Sequence, residues 1–221
     1  FRVLNLFYLL NMKHVLYALL TAVSILFTSC GPSSNTNNPQ VPNVPQPQPQ
    51  PQPEVTQKVV IGYLALDDWE FENLFPTIEW KYLTHINASF ARVKADGTLN
   101  IEPVRKRIES VRETAHKHNV KILISLAKNS PGEFTTAIND PKARKELIQQ
   151  IIAFTKEYKL DGFDIDYEEY DNWDKNFPSL LVFARGLYLA KEKNMLMTCA
   201  VNSRWLNYGT EWEQYFDYIN L

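Results

Sequence analysis

The chain of 221 residues carries 23 Lys and Arg against 25 Asp and Glu, and its formal net charge is −2. This near balance, without a basic run anywhere along the chain, argues against nucleic-acid binding. The four histidines, His14, His85, His116 and His118, show no metal-ligand spacing, and no cofactor is expected.

Residues 1–29 are predicted to be an upstream extension followed by a signal peptide. Met12-Lys13-His14 supplies a short basic segment, and Val15–Phe27 is an apolar run of 13 residues. That run is too short to span a bilayer, which takes about 20 residues. Its length is typical of a signal-peptide core, so we expect the segment from Met12 to direct export.

A cysteine follows this apolar run directly after two small residues, in Thr28-Ser29-Cys30. The arrangement resembles a bacterial lipoprotein lipobox, which implies cleavage before Cys30 and diacylation of its sulfur. The protein would then be lipid-anchored in the bacterial cell envelope, on the periplasmic or the surface face of the outer membrane. An ordinary secretory signal and a secreted protein are the alternative. With Cys30 acylated, Cys199 is the only thiol left, which excludes an intramolecular disulfide.

Residues 30–57 are predicted to be the lipidated cysteine and a Pro/Gln-rich linker. Residues 42–53 hold an alternating Pro-Gln run, which favours extended polyproline II. Twelve such residues reach about 37 Å at about 3.1 Å each. We expect this segment to be a stalk that holds the following domain clear of a membrane.

From residue 58 to residue 221, apolar β-branched segments alternate with amphipathic stretches. Strands are predicted over Lys58–Leu66, His85–Val93, Val120–Leu126, Gly162–Glu168, Leu196–Asn202 and Tyr215–Leu221. Helices are predicted over Pro103–His118, from the N-cap Asp140 through Pro141 to about Tyr158, and over Pro178–Lys193. Such alternation predicts parallel strands with helices outside them.

The fourth predicted strand carries an unusual set of acids. Its sequence is Asp161-Gly162-Phe163-Asp164-Ile165-Asp166-Tyr167-Glu168. Because residues two apart on a strand face the same way, Asp164, Asp166 and Glu168 are predicted to form one row of carboxylates. Burying such a row costs on the order of several kcal/mol unless the acids are protonated, paired or bound. At least one proton is therefore expected on the group near neutral pH, as a general acid requires.

The carboxylate row is also compatible with a solvated strand edge or with a metal site. A solvated edge fits poorly, because Phe163 and Ile165 have the pattern of buried strand residues. The metal site would hold Mg²⁺ or Ca²⁺ through hard oxygen ligands, although no adjacent segment offers the loop that calcium sites use. The sequence favours acid–base chemistry over metal binding.

The spacing Asp-x-x-Asp-x-Asp-x-Glu, opened by Asp161-Gly162, resembles the signature of glycoside hydrolase family 18. That family holds chitinases, endo-β-N-acetylglucosaminidases and non-catalytic lectin relatives. The resemblance implies that Glu168 is the general acid and that the substrate's own 2-acetamido oxygen attacks the anomeric carbon. Asp166 would hydrogen-bond the acetamido N–H, and Asp164 would share a proton with Asp166. Asp161 and Gly162 would be structural.

Aromatic residues near the predicted strand ends are candidates for substrate binding. Tyr63 stands where the family often has an aromatic in the sugar site, and a partly buried core tyrosine is the equal alternative. Trp205, just after the fifth strand, is predicted to be an exposed loop tryptophan that stacks on a sugar ring. Ser125-Leu126-Ala127-Lys128 keeps the serine of the family's Ser-x-Gly-Gly and lacks both glycines. The shape of this rim is therefore expected to differ.

The alternation and the resemblance together imply a (β/α)8 TIM barrel with its active site at the carboxyl ends of the strands. Such a barrel takes about 250 residues, so residues 58–221 are predicted to be an incomplete catalytic domain. The barrel would be truncated after about six strands, and the fragment itself is predicted to be inactive. Asp217 and Asn220 match the family's usual Asp-x-x-Asn and are expected beside the site.

The implied activity is hydrolysis of β-1,4 linkages at N-acetylglucosamine, in chitin oligomers or in the N-glycan chitobiose core. The protein is expected to act without a cofactor and as a monomer. The alternative is a non-catalytic glycan-binding lectin on the same fold. Since loss of the general acid is the usual route to a lectin, the presence of Glu168 favours the enzyme.

Overall fold

The structure is a computed structural model that describes residues 58–169, 171–202, 205–208 and 211–220. The predicted signal peptide, Cys30 and the linker lie outside the described residues. The strands are β1 (Ile61–Ala65), β2 (His85–Val93), β3 (Leu99–Asn100), β4 (Lys121–Lys128), β5 (Gly162–Asp166), β6 (Leu196–Ala200) and β7 (Tyr218–Asn220). Each of the six predicted strands is present, in most cases shorter than predicted.

The strands form one sheet in the order β1-β2-β4-β5-β6-β7, and each of these neighbouring pairs is parallel. The short β3 pairs antiparallel with the end of β2. The sheet is curled, because the Asn220 side chain on β7 reaches Tyr63 on β1, with 3.1 Å between Nδ2 and Oη. The result is a half-barrel with helices, which confirms the predicted fold as a truncated (β/α)8 barrel.

Alternation along the strands sorts apolar from polar side chains. Ile124 on β4, Phe163 on β5 and Met197 on β6 lie in register on one face and are fully buried. The next residues along these strands, Ser125, Asp164 and Thr198, are also in register and equally buried, on the opposite face. One face therefore packs into the apolar core, while the other brings polar groups into the barrel interior.

The helices are α1 (Phe71–Leu74), α2 (Glu102–Arg105), α3 (Ile108–Lys117), α4 (Glu133–Asn139), α5 (Pro141–Glu157) and α6 (Trp173–Ala190). Asp140 is confirmed as the N-cap of α5, since its side chain accepts a 2.7 Å hydrogen bond from the Ala143 N–H. Among the described residues, no helix is long and apolar enough to cross a membrane.

Two helix predictions were wrong in their boundaries. The single helix predicted over Pro103–His118 is divided into α2 and α3, and at the break the guanidinium of Arg107 binds the Leu66 and Asp68 carbonyls at 2.5 and 3.0 Å. The last predicted helix begins at Trp173 instead of Pro178, because the buried Trp173 and Phe177 anchor an additional first turn.

Candidate active site

Asp164, in the middle of β5, is the centre of a hydrogen-bond network inside the barrel. Its side chain is fully buried. The Oδ2 atom accepts hydrogen bonds from Tyr63 Oη at 2.9 Å and Ser125 Oγ at 2.7 Å. The Oδ1 atom accepts from Thr198 Oγ1 at 2.5 Å and Asn220 Nδ2 at 3.3 Å. Strands β1, β4, β6 and β7 thus each supply one donor to this carboxyl group.

Burial and hydrogen bonding act in opposite directions on Asp164. Burial raises the pKa of its carboxyl above the ordinary value, and the surrounding donors partly offset that rise. Burial and the same carboxyl raise the pKa of the Tyr63 hydroxyl, which therefore stays protonated and remains a donor. The network holds Asp164 in one orientation directly behind the next acid of the strand.

Asp166, the last residue of β5, is only partly buried. The pKa of its carboxyl is raised to about 7, first by burial and then by the negative charges of Glu168 and Asp164. Lys128 and Arg92 act in the opposite direction, since their positive charges lower the pKa of Asp166. A carboxyl group that exchanges its proton near neutral pH therefore stands at the mouth of the half-barrel.

Glu168 is exposed and lies beyond the end of β5. The prediction that the strand runs to Glu168 was wrong, because the ladder with β6 ends at the pair Asp166 and Ala200. Two members of the predicted carboxylate row are thus strand residues, and the third stands on the segment that follows. The main-chain carbonyl of Glu168 accepts a 3.1 Å hydrogen bond from Lys128 Nζ.

Asp161 and Gly162 have structural environments at the start of β5. Asp161 Oδ2 accepts a 2.8 Å hydrogen bond from the Ile122 N–H and lies 2.8 Å from His116 Nε2. A Cβ atom on Gly162 would lie 2.0 Å from the Leu196 carbonyl oxygen. Only glycine allows the main chains of β5 and β6 to approach in this way.

Tyr63 combines features of both predicted alternatives. The residue is 43% exposed, while its hydroxyl donates to the buried Asp164. It lies in the middle of β1 instead of at its end, and in the register of the sheet it is paired with Asn87. Tyr63 is therefore half-exposed and available to a ligand, while its hydroxyl belongs to the buried network.

The prediction that Trp205 is an exposed loop tryptophan was wrong. Trp205 is 1% exposed, and its ring packs against Trp173, Phe177 and Trp212 at centroid distances of 5.7, 5.5 and 4.9 Å. These neighbours cover the ring faces that sugar stacking requires. The exposed tryptophan is Trp69, which is 79% exposed and lies in the segment after β1, at the carboxyl-end face of the sheet.

Sequence reasoning missed Thr198, Lys128 and Glu169. Thr198 had a usable signal, because it is a polar residue at the centre of the apolar segment Leu196–Ala200. Lys128 differs from the family's glycine, but that difference alone does not indicate a contact. Glu169 had no signal, because its two partners, the Gly132 and Thr135 N–H groups, lie more than 30 positions away, with separations of 37 and 34.

The described residues contain no group of three or more His, Cys, Asp or Glu side chains arranged to hold a metal ion. The Asp164 carboxyl group of β5 instead accepts from hydroxyl and amide donors. What the arrangement offers chemically is a carboxyl group whose pKa is raised to about 7 and, two residues further on, a second, exposed carboxyl group. This combination is suited to acid–base catalysis.

The family model described as Glycosyl hydrolases family 18 matches residues 59–221. A chitinase from Bacteroides thetaiotaomicron, known from a crystal structure, is 99% identical to this chain in sequence. The two structures match with a TM-score of 0.73 over 74% of this chain and 53% of that chain. A chitinase from Cycas revoluta in complex with (GlcNAc)3 has the same fold at 22% identity and a TM-score of 0.62, over 72% of this chain and 53% of that one.

Curated relatives are matched over a smaller part of their length. Chitinase B of Serratia marcescens is 27% identical in a match 144 residues long, and the match covers 51% of this chain and 28% of that protein. A chitinase-like effector of Moniliophthora roreri is 28% identical over 93 residues, 41% of this chain and 23% of that protein. This chain therefore spans about a quarter of the length of these two relatives.

Proposed function

This chain belongs to glycosyl hydrolase family 18, and on that premise we propose that the protein hydrolyses β-1,4 linkages at N-acetylglucosamine. The observation that carries the proposal is the arrangement on and after β5. A buried, fully hydrogen-bonded Asp164 stands behind Asp166, whose pKa is raised to about 7, and an exposed Glu168 follows.

In the proposed reaction Glu168 is the general acid. Its carboxyl proton passes to the glycosidic oxygen as the bond from that oxygen to the anomeric carbon breaks. The 2-acetamido oxygen of the same sugar forms a bond to the anomeric carbon, which gives an oxazolinium ion. Glu168, now ionised, then removes a proton from water, whose oxygen attacks the anomeric carbon. The bond from the acetamido oxygen to the anomeric carbon breaks, which opens the oxazolinium ring and gives net retention of the anomeric configuration.

Asp166 has a different role in this proposal. Its carboxylate accepts a hydrogen bond from the acetamido N–H, which turns the acetamido oxygen toward the anomeric carbon. As positive charge develops on the oxazolinium ion, the same carboxylate stabilises it. Asp164 supports this role, because its raised pKa allows it to take up a proton while Asp166 becomes charged.

Chitin-type oligomers are the first substrate class in this proposal, and the N-glycan chitobiose core is the second. The support for the first is the similarity to chitinases, including one solved with an N-acetylglucosamine trimer. A glycan-binding lectin without activity is the competing function, and the presence of Glu168 argues against it.

The test uses the full reading frame that contains this sequence, incubated with N-acetylglucosamine oligomers and with a high-mannose glycoprotein, and mass spectrometry of the products. Shortened oligomers would identify a chitinase, and a protein retaining one N-acetylglucosamine would identify an endoglycosidase. Glu168→Gln should lower kcat by about 10²–10⁴-fold and leave binding of the oligomer intact. Glu157→Gln, at an exposed position on α5, is the matched control.

Unchanged turnover in Glu168→Gln would remove Glu168 as the acid. Binding of oligomers by the unchanged protein without any product would favour the lectin.

The lipid anchor is a separate part of the proposal. Acylation of Cys30, followed by the Pro/Gln-rich linker, would hold the domain at the bacterial cell envelope as a monomer. Cys30→Ala should move the protein from the membrane fraction to the soluble fraction on expression in a bacterium. Membrane association that survives this substitution in a chain from which the signal peptide has been removed would exclude the anchor.

A further inference from the structure

The segment that carries Glu168 is held by one neighbouring part of the chain. This neighbour is the connection from the end of β4 to the first turn of α4, residues 128–135. At its start, the Lys128 ammonium donates a 3.1 Å hydrogen bond to the main-chain carbonyl of Glu168. The contact fixes the main chain of Glu168 and leaves its carboxyl group exposed.

Glu169 anchors the same segment on the other side. It is 8% exposed, and its two carboxylate oxygens accept hydrogen bonds from the main-chain N–H groups of Gly132 and Thr135, the latter at 2.5 Å. Gly132 has a φ of +82°, in the left-handed region that favours glycine. The chain is therefore shaped at Gly132 to present an N–H group to Glu169.

Tyr167 completes the attachment. Its ring is 1% exposed and packs edge-on against Phe134, with 5.3 Å between the ring centroids. Its hydroxyl lies 2.5 Å from Thr135 Oγ1. Glu168 is thus an exposed residue between two buried ones, and all three are bonded to residues 128–135.

We propose that Lys128 is a positioning residue for Glu168, and that with Glu169 it fixes the general acid at the mouth of the barrel. The inference rests on the proposed function, because it takes Glu168 as the acid. Lys128 stands where the family's Ser-x-Gly-Gly has glycine, and glycine has no side chain that could make this contact. Displacing a catalytic group by about 1 Å can lower the rate by about 10²-fold, which is why such a contact matters.

The experiment compares Lys128→Met, Lys128→Arg and the control Lys121→Met in the full reading frame. Lys121 is exposed and lies at the opposite end of the same strand. The rates of cleavage are measured on an N-acetylglucosamine oligomer and on a 2,4-dinitrophenyl glycoside of the same sugar. The dinitrophenolate departs with little protonation, so its release depends much less on the position of the acid.

We expect Lys128→Met to lower kcat on the oligomer by about tenfold or more, with KM nearly unchanged. The loss on the dinitrophenyl glycoside should be no more than about threefold, because that substrate bypasses the acid and senses only the effect of the lost Lys128 charge on Asp166. Lys128→Arg should retain most of the oligomer activity, since a guanidinium can also donate to the Glu168 carbonyl. Equal losses on the two substrates, or no loss on the oligomer, would overturn the inference.

Thr135→Ala provides a second variant in which Lys128 is intact. It removes the hydroxyl partner of Tyr167 and should show the same preference for the activated substrate, with a smaller loss. Glu168→Gln on the same two substrates separates the inference from the proposed function. If Glu168→Gln spares oligomer cleavage, the proposed function fails. If Glu168→Gln abolishes it while Lys128→Met and Thr135→Ala leave the oligomer rate unchanged, only the positioning role fails.

Discussion

Tyr63 and Asp164 are 101 positions apart in the sequence, and their side chains are joined by a 2.9 Å hydrogen bond from Tyr63 Oη to Asp164 Oδ2. Asn220 Nδ2 lies 3.1 Å from the same tyrosine hydroxyl and 3.3 Å from Asp164 Oδ1. Strands β1, β5 and β7 are therefore connected through one buried carboxyl group. Asp164 therefore supports Asp166 and also links β1 to β7 across the half-barrel.

Asp164→Ala is expected to destabilise the protein by about 3 kcal/mol or more, because it leaves the buried Ser125 and Thr198 hydroxyls without their acceptor. Asp164→Asn should cost less, since the amide keeps one acceptor oxygen and hydroxyl groups can reverse their direction. Urea unfolding measures the two free energies of unfolding. A negligible loss in Asp164→Ala would show that hydrogen bonding to Asp164 contributes little to stability.

Asp166→Asn is expected to raise stability at neutral pH. The pKa of Asp166 is about 7 in the folded state, whereas its ordinary pKa, which applies to the unfolded chain, is 3.8. The unfolded state therefore gains stability as the pH rises through this window, and folding stability falls until about pH 7 and then levels off. Asparagine removes the effect, which we expect to be on the order of 2 kcal/mol for a partly solvated group.

The check is thermal unfolding of both proteins from pH 4 to pH 8. The midpoint of Asp166→Asn should exceed that of the unchanged protein at pH 8 by several degrees, at about 2–4 °C per kcal/mol. The two midpoints should converge toward pH 4. Asp164 is present in both proteins, so its own titration largely cancels. A difference that is the same at every pH would contradict the raised pKa of Asp166.

Gly162→Ala is expected to cost about 3 kcal/mol, because the new Cβ atom would lie 2.0 Å from the Leu196 carbonyl oxygen and would push β5 away from β6. Gly186→Ala on α6 is the matched control. There the nearest atom is the flexible Ile148 Cδ1 at 2.6 Å, and alanine favours the helix by about 1 kcal/mol. Chemical denaturation of both variants should show a clear loss for the first and a small change of either sign for the second.

Asp140→Ala is expected to lower the free energy of unfolding by about 1 kcal/mol, since the Ala143 N–H at the start of α5 loses its acceptor. Asp140→Asn should retain most of the stability, because an amide oxygen caps a helix nearly as well. The activity of both variants should be unchanged. Loss of activity in Asp140→Ala without loss of stability would indicate a role that the cap does not explain.

Local patterns were enough to predict the positions of the six parallel strands and the N-cap at Asp140. Period-two alternation identifies a strand from its own residues, and capping needs only the next few residues. The boundaries were less well predicted, as at Glu168, which lies outside β5, and at Trp173, which opens α6. These ends depend on pairing with β6 and on the aromatic cluster around Trp205, which involve residues far away in the sequence.

The sequence by itself determined the identity and spacing of the acids on β5, because the two-residue repeat of a strand places Asp164 and Asp166 on one face whatever surrounds them. The tertiary structure decided their environments. In the curled sheet, four donors from other strands surround Asp164: Tyr63, Ser125, Thr198 and Asn220. The folded chain also buries Trp205 and places Lys128 against the Glu168 carbonyl. Burial and charge at a site are sums over neighbours from distant segments, and only the folded chain specifies which neighbours those are.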